Sequence, residues 1–340
     1  MTNSSFIRVP YSEMESVFLT VLLQHGLSPE KAKTCADIFA VNSLEGVYTH
    51  GVNRFPRFIQ YIKNNYIKVH HEAQQRAVAG CIEQWDGQLG PGPLNALQCT
   101  HRSMEIAKAN GLGCVALSNT NHWMRGGYYG RHAAQKGFVF IGWTNTMGNM
   151  PAWGAVDPKL GNNPLVIAVP YRSDAIVLDM AMSQYSYGSL ELYSLKNEEL
   201  PVPGGFDLNG NITQDPASII QSRQVLPIGY WKGAGMSLLL DILATILSGG
   251  LSTAQISDLP AEHSLSQVFM TIDISRLNNY PAIAKTIQQI LDDYHTSSPQ
   301  EKNKQIRYPG EKIQSIRETN LKEGIPVLKK IWDEIEAIRS

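Results

Sequence analysis

GLGCVA, residues 111–116, decides the fold. It has the G-x-G-x-x-A spacing with which dinucleotide-binding sheets cradle a pyrophosphate, but its flanks run in the opposite order. That motif needs a strand before it and a helix after it, so that the helix N-terminus meets the phosphates. Here the helical stretch HRSMEIAKAN (101–110) comes first and the apolar run CVALSN (114–119) follows. The stretch therefore reads as a helix-to-strand turn, and any nucleotide site in this chain must be built another way.

Outward from that turn, from about residue 78, short apolar runs alternate with helices. CVALSN, FVFIGWT (138–144), LVIAVP (165–170), AIVLDMAMS (175–183) and VFMTIDI (268–274) read as strands, with helices near 94–110, 128–136 and 235–248. Upstream the pattern is helical. Ser12–Glu15 has the spacing of a capping box, and Met14, Val17, Phe18, Val21 and Leu22 then share one face. Gly26 is placed to end that helix, and Ser28-Pro29 to start the next. Ala32, Cys35, Ala36 and Phe39 form its buried stripe, Gly46 can cap its end, and a third helix spans roughly 53–65. At the far end Leu328, Ile331, Trp332 and Ile335 recur at helical spacing. The expected fold class is α/β (α+β) in three parts. Residues 1–75 form a helical segment, 76–275 a central sheet, and 276–340 a helical segment packing back on the first.

The 340 residues are 43% apolar and 17% charged, which suits a compact globular chain. A net charge of −1 without a Lys/Arg run argues against nucleic acid. The N-terminus lacks a basic start followed by an apolar stretch, so no signal peptide is expected. The most apolar run, Met236–Leu247, is interrupted by Ser237 and Asp241 and is shorter than a bilayer span. Cys35, Cys81, Cys99 and Cys114 form no C-x-x-C pair and sit in apolar contexts, as reduced core thiols do. These features lead us to expect a cytoplasmic protein with no membrane or nucleic-acid partner.

Several stretches carry candidate chemistry. GVYTHGVNRFP (46–56) offers a hydroxyl (Thr49), a titratable ring (His50) and a fixed cation (Arg54) between two flexible glycines. It reads either as a proton donor beside a carboxylate anchor or as a polar helix-to-helix connection. GYWKGAG (229–235) runs into a helix and reads as an anion-binding loop or as a tight turn. NTNHWMRGG (119–127) follows a strand, at the end where α/β sheets usually bind ligands, and places His122 beside Trp123 and Arg125. Asn162-Asn163-Pro164 and Asp179 are ligand contacts or turn residues, and His70-His71 read as solvated. No G-x-S-x-G elbow supports a serine hydrolase, and no H-E-x-x-H or paired-cysteine set supports a metal. Histidine, arginine and an anion-binding loop are what ketone reduction needs: an acid, a carboxylate clamp and a cofactor to carry hydride.

GVYTHGVNRFPRFI, NHWMRGG, GNNPL, DMAMSQYSYG, GYWKGAGMS and IRYPGE occur in that order along nearly the whole chain. Together they resemble the type-2 malate/L-lactate dehydrogenase family, which binds a nicotinamide cofactor on a non-Rossmann fold. That resemblance accounts for the reversed GxGxxA. It implies His50 as proton donor, Arg54 with Thr49 as substrate-binding residues, and His122 as a second active-site histidine. It assigns the cofactor to Ala175, Ile176, Val177, Leu178, Asp179, Met180 and Ala181, to Trp231 and Lys232, and to Gly310, Glu311 and Lys312. Many members have serine where this chain has Thr49, which keeps the hydroxyl and adds a methyl. The loop Tyr171-Arg-Ser-Asp174 is one residue longer than the pattern, beside the cofactor strand, so it bears on NADH versus NADPH. The aromatic-rich motifs imply reduction of 2,3-diketo-L-gulonate to 3-dehydro-L-gulonate, with NADH preferred and NADPH admissible, in a homodimer. Siblings acting on malate, lactate or ureidoglycolate are the alternative.

Overall fold

The computed structural model describes residues 6–301 and 304–340. It begins with β1 (Phe6–Val9), α1 (Tyr11–Gln24), α2 (Pro29–Leu44) and α3 (Phe55–Lys63). The sheet region follows as β2 (Gln74–Ala79), β3 (Ile82–Asp86), α4 (Gly92–Asn110), β4 (Leu112–Thr120), α5 (Gly126–Gln135), β5 (Phe138–Thr144), β6 (Leu165–Tyr171) and β7 (Asp174–Met180). Then come α6 (Tyr187–Lys196), β8 (Gly205–Phe206), β9 (Ile212–Thr213), α7 (Pro216–Ser222), α8 (Trp231–Ser248), α9 (Thr253–Ser257) and β10 (Leu265–Asp273). The chain closes with α10 (Tyr280–His295), α11 (Ile313–Glu323), β11 (Ile325–Leu328) and α12 (Lys329–Arg339).

Seven strands form one mixed sheet in the order β2-β3-β4-β10-β5-β6-β7. Only β3 and β4 run parallel; the other neighbours are antiparallel. The late strand β10 lies at the centre, and its near-continuous burial matches its apolar run. Helices α4 and α5 cover one face around Trp123, Tyr129, Phe140 and Phe269. The other face packs on α8 and on the segment carrying α6 and α7. A separate core holds α1, α2 and α3, where Phe18 stacks on Phe55 at 4.1 Å and both meet Phe39. Strand β11 pairs with β1, and Trp332 and Ile335 of α12 enter this same core.

The turn at GLGCVA has the order expected from its flanks. Gly111, at φ +90°, ends α4, and β4 begins at the next residue. A Cβ on Gly113 would lie 2.1 Å from Ser103 O and 2.7 Å from Ala107 N, so the missing side chain lets α4 lie against β4. Gly113→Ala should therefore cost about 1–3 kcal/mol or more by overpacking. The check is the thermal unfolding midpoint, and an unchanged value would mean that α4 yields freely.

Two expectations fail here. The capping box at Ser12 does not form, because β1 is pinned by β11 and Pro10 turns the chain directly into a helix that starts at Tyr11. The apolar run Met236–Leu247 extends into an 18-residue helix that meets the length and composition of a membrane span, with a third of it buried. Ser237 and Asp241 do not break it. Ser237 bonds Gly161 O, and Asp241 accepts from Asn145 and from Thr253 N. Both are occupied on the sheet side of the helix.

Candidate active site

The corner at residues 46–54 is held against the end of α2. Asn42 donates to His50 O at 3.1 Å, and Ser43 Oγ accepts the Val52 N–H at 2.8 Å. A Cβ on Gly51 would lie 2.2 Å from that same Ser43 oxygen, so glycine is what permits the docking. Thr49 Oγ1 lies 3.1 Å from His50 Nδ1. The methyl that distinguishes Thr49 from serine faces Gly188 of α6, where a Cβ would come within 2.9 Å of it.

His122 arrives from the end of β4 and stacks near His50, with ring centroids 5.7 Å apart and planes 19° from parallel. Met124 N–H donates to His122 Nδ1 at 2.9 Å. In the neutral ring that bond leaves the hydrogen on Nε2. Burial, then the nearby Arg54 and Arg125 charges, lower the His50 pKa to about 4. Burial also holds His122 well below the ordinary value, helped by Arg54, His50 and Arg57. Both rings are therefore neutral donors or acceptors in the free protein at neutral pH.

Thr49, His50 and His122 line a cavity of about 700 Å³. The facing wall is Val177, Asp179, Met180 and Ala181, and Gly310, Glu311 and Lys312 close one end. Ile176 and Leu178 do not line it, because alternate residues of β7 face alternate sides; Ala175, on the same side as Val177 and Asp179, lies at the far start of the strand and does not line it either. Asp179 accepts the Gly127 N–H at 2.7 Å, and the protein packed around its carboxylate raises its pKa above the usual carboxylate value although the residue keeps solvent access. The loop before α11 is stitched to this strand, with Val177 N donating to Pro309 O at 3.2 Å.

Arg54 sits elsewhere. It lies behind His122 in a recess of about 10 Å³, beside Arg57 and Tyr61, with Nη2 3.5 Å from Glu262 Oε1. Trp231 and Lys232 are outside the cavity too; Trp231 is 65% exposed at the start of α8. A Cβ on Gly233 would stand 2.3 Å from Ile228 O, so that glycine serves the close entry into the helix. Asn162 lines the cavity, whereas Asn163 is consumed internally by Thr146 N and Ser237 O. Arg172 and Ser173 form a two-residue hairpin turn, with Arg172 at φ +54° and bonded to Gln288, away from the cavity. His70 and His71 are exposed.

Sequence reasoning missed Glu45 and gave no role to Arg125 or Arg307. Arg125 and Arg307 both line the cavity. Glu45 is buried and accepts from Arg125, Arg131 and Arg317, which fixes Arg125 beside the histidines. No local motif marks a glutamate whose partners lie 80 to 272 positions away. The donor set fits a nicotinamide dinucleotide. Arg125, Arg307 and Lys312 outnumber Asp179 and Glu311 around it, as an anionic diphosphate requires, and Val177, Ile228 and Ile313 supply apolar surface.

Residues 9–336 match the family described as malate/L-lactate dehydrogenase. The chain is 43% identical over 333 residues to a 2,3-diketo-L-gulonate reductase of Escherichia fergusonii, covering 98% of this chain and 100% of that one. One from Klebsiella pneumoniae is equally similar, at 43% with the same coverage. Among solved structures, a malate dehydrogenase from Pyrococcus horikoshii superposes with a TM-score of 0.88 at 29% identity, over 99% of this chain and 95% of that one. A putative malate/lactate dehydrogenase from E. coli gives a TM-score of 0.92 at 25% identity, over 98% and 94%. The chain belongs to the malate/L-lactate dehydrogenase family, oxidoreductases that act on CH–OH groups with a nicotinamide cofactor.

Proposed function

We propose that this protein reduces 2,3-diketo-L-gulonate to 3-dehydro-L-gulonate, with NADH preferred over NADPH. The carrying observation is one cavity that brings His50 and His122 face to face with β7 and the Gly310 loop. The relatives that are 43% identical along their whole length support the substrate. When bound, the nicotinamide supplies the hydride. His50 would give its proton to the developing alkoxide, and Thr49 would orient its ring through Nδ1. Neutral His122, with Nδ1 occupied by Met124 N–H, would point Nε2–H at the keto oxygen. Arg54 would take the substrate carboxylate by turning from Glu262 toward the cavity. Asp179 and Glu311 in the cofactor wall oppose an added phosphate, while Arg307 and Lys312 keep NADPH admissible. The reading is tested by incubating enzyme, NADH and 2,3-diketo-L-gulonate and identifying the product by mass. No product at stoichiometric enzyme would overturn it. A sibling acid such as malate, lactate or ureidoglycolate is the second reading, supported by the resemblance to the Pyrococcus protein.

The low His50 pKa sets a pH dependence. Reduction needs the protonated ring, and free enzyme carries it only below about 4. Hence kcat/KM for reduction should fall about tenfold per pH unit between roughly pH 5 and 8, while kcat should hold to higher pH. A bound carboxylate offsets the arginines that depress His50, which raises its pKa in the complex. Initial rates across that range check this, and a flat kcat/KM would remove His50 as the source of the proton.

We also infer a homodimer and a cytoplasmic setting. Leu239, Leu243 and Ile246 of α8 are 56%, 39% and 62% exposed along one face, with Trp231 at its start. Such a stripe needs a cover. A second copy seated there would bring Trp231 and Lys232 to a partner's cavity, which accounts for their place outside their own. All four cysteines are free thiols, as a reducing compartment favours. Leu239→Glu with Ile246→Glu should yield monomers by light scattering and weaken NADH binding; a dimer of unchanged affinity would refute the arrangement.

A further inference from the structure

Glu262 has no place in the chemistry described so far. It lies in the loop between α9 and β10, and its carboxylate bridges two walls of the site. Oε1 meets Arg54 Nη2 at 3.5 Å, and Oε2 accepts the Met147 N–H at 3.4 Å, next to cavity-lining Thr146. The residues that follow are anchored. His263 stacks on Tyr66 at 5.1 Å, and Ser264 Oγ donates to Asn119 at 3.2 Å. The glutamate is therefore held in place, with its side chain only 19% exposed. Its partner Arg54 is faced in turn by Arg57 as a second cation, by Tyr61 as a neutral phenol that also meets Glu262, and by the exposed Glu191. A fixed negative charge thus sits beside the arginine that would hold the substrate carboxylate, one residue from the cavity wall.

We propose that Glu262 is a specificity-determining residue, an inference that rests on the keto-acid reading above. It offsets one of the two arginines, so the site welcomes one substrate carboxylate. It repels a second, and its oxygens accept hydrogen bonds from the hydroxyl groups of a polyhydroxylated tail. A dicarboxylic 2-keto acid is disfavoured by like charge, and a sugar acid is favoured. The sequence around it, LPAEHS (259–264), carries no motif that would announce this role.

The experiment measures kcat/KM for oxaloacetate and for 2,3-diketo-L-gulonate with wild type, Glu262→Gln and Glu262→Asp, alongside NADH affinity and the unfolding midpoint. Glu262→Gln should raise the oxaloacetate-to-diketogulonate ratio by about tenfold or more, since the repulsion vanishes while the shape is kept. Glu262→Asp retains the charge and should keep the ratio near that of wild type. A Gln variant that binds NADH normally but leaves the ratio unmoved overturns the inference, even if both kcat/KM values drop together, because Glu262 would then only support Arg54. A wild type that turns over neither acid would instead overturn the keto-acid reading itself, so the two failures are separable.

Discussion

His50→Ala is expected to bind NADH nearly as well as wild type and to turn over roughly 100- to 10,000-fold more slowly, the usual worth of one general acid. The ring is held by the corner it belongs to: Asn42 grips its carbonyl and Thr49 meets Nδ1. Removing it leaves that corner docked through the Val52–Ser43 bond, so the fold should survive. Burial and neighbouring cations hold His122 below the ordinary histidine value as they do His50, and its Nδ1 is already occupied by the Met124 N–H, which leaves it the neutral Nε2–H donor. The comparison is saturated kcat together with NADH affinity by fluorescence titration. A variant that keeps most of its turnover would transfer the donor role to His122.

Arg54→Met should lower kcat/KM for the keto acid by roughly 30- to 4,000-fold, the equivalent of about 2–5 kcal/mol for removing one partner of a desolvated charge pair. Two effects add. The substrate carboxylate loses its planar partner, and Glu262 is left in place with no guanidinium against it. Arg54→Lys keeps the charge but not the fork, so it should fall between wild type and the methionine variant. A neutral ester of the substrate should be slow with wild type and respond far less to either change. Acid and ester losing equally would show that Arg54 does not read the carboxylate.

Much of this architecture was legible because the signals were local. The reversed order around Gly111, the Ser28-Pro29 start and the stripe Ala32, Cys35, Ala36 and Phe39 each act within a few residues, and the fold keeps all three. The hairpin β2–β3 was not legible, since QQRAVA is wholly exposed on a sheet edge, with its three polar residues first and no alternation. Polar residues suit such an edge. The position of β10 was equally hidden: its apolar run says strand, but nothing in it says that it inserts between β4 and β5.

The site divides the same way. His50 and His122 stand out because titratable rings sit beside glycines and arginines at element ends. Glu45 and Glu262 do not, because their meaning comes from arginines brought to them by folding. The segment 175–181 that the family resemblance assigns to the cofactor is contiguous in sequence, yet the chain presents only part of it to the cavity. Trp231 and Lys232 lie outside the cavity of their own chain, so the role proposed for them depends on the proposed second copy.

The central claim is that this cavity reduces a sugar-derived 2-keto acid, and kcat/KM for NADH oxidation across a panel of keto acids tests it most directly. The panel should hold 2,3-diketo-L-gulonate, oxaloacetate, pyruvate and the 2-oxo acid formed by oxidation of ureidoglycolate. The expected result is that 2,3-diketo-L-gulonate exceeds every other acid by at least about tenfold. A higher value for oxaloacetate or pyruvate, with 2,3-diketo-L-gulonate turned over poorly, would contradict the account.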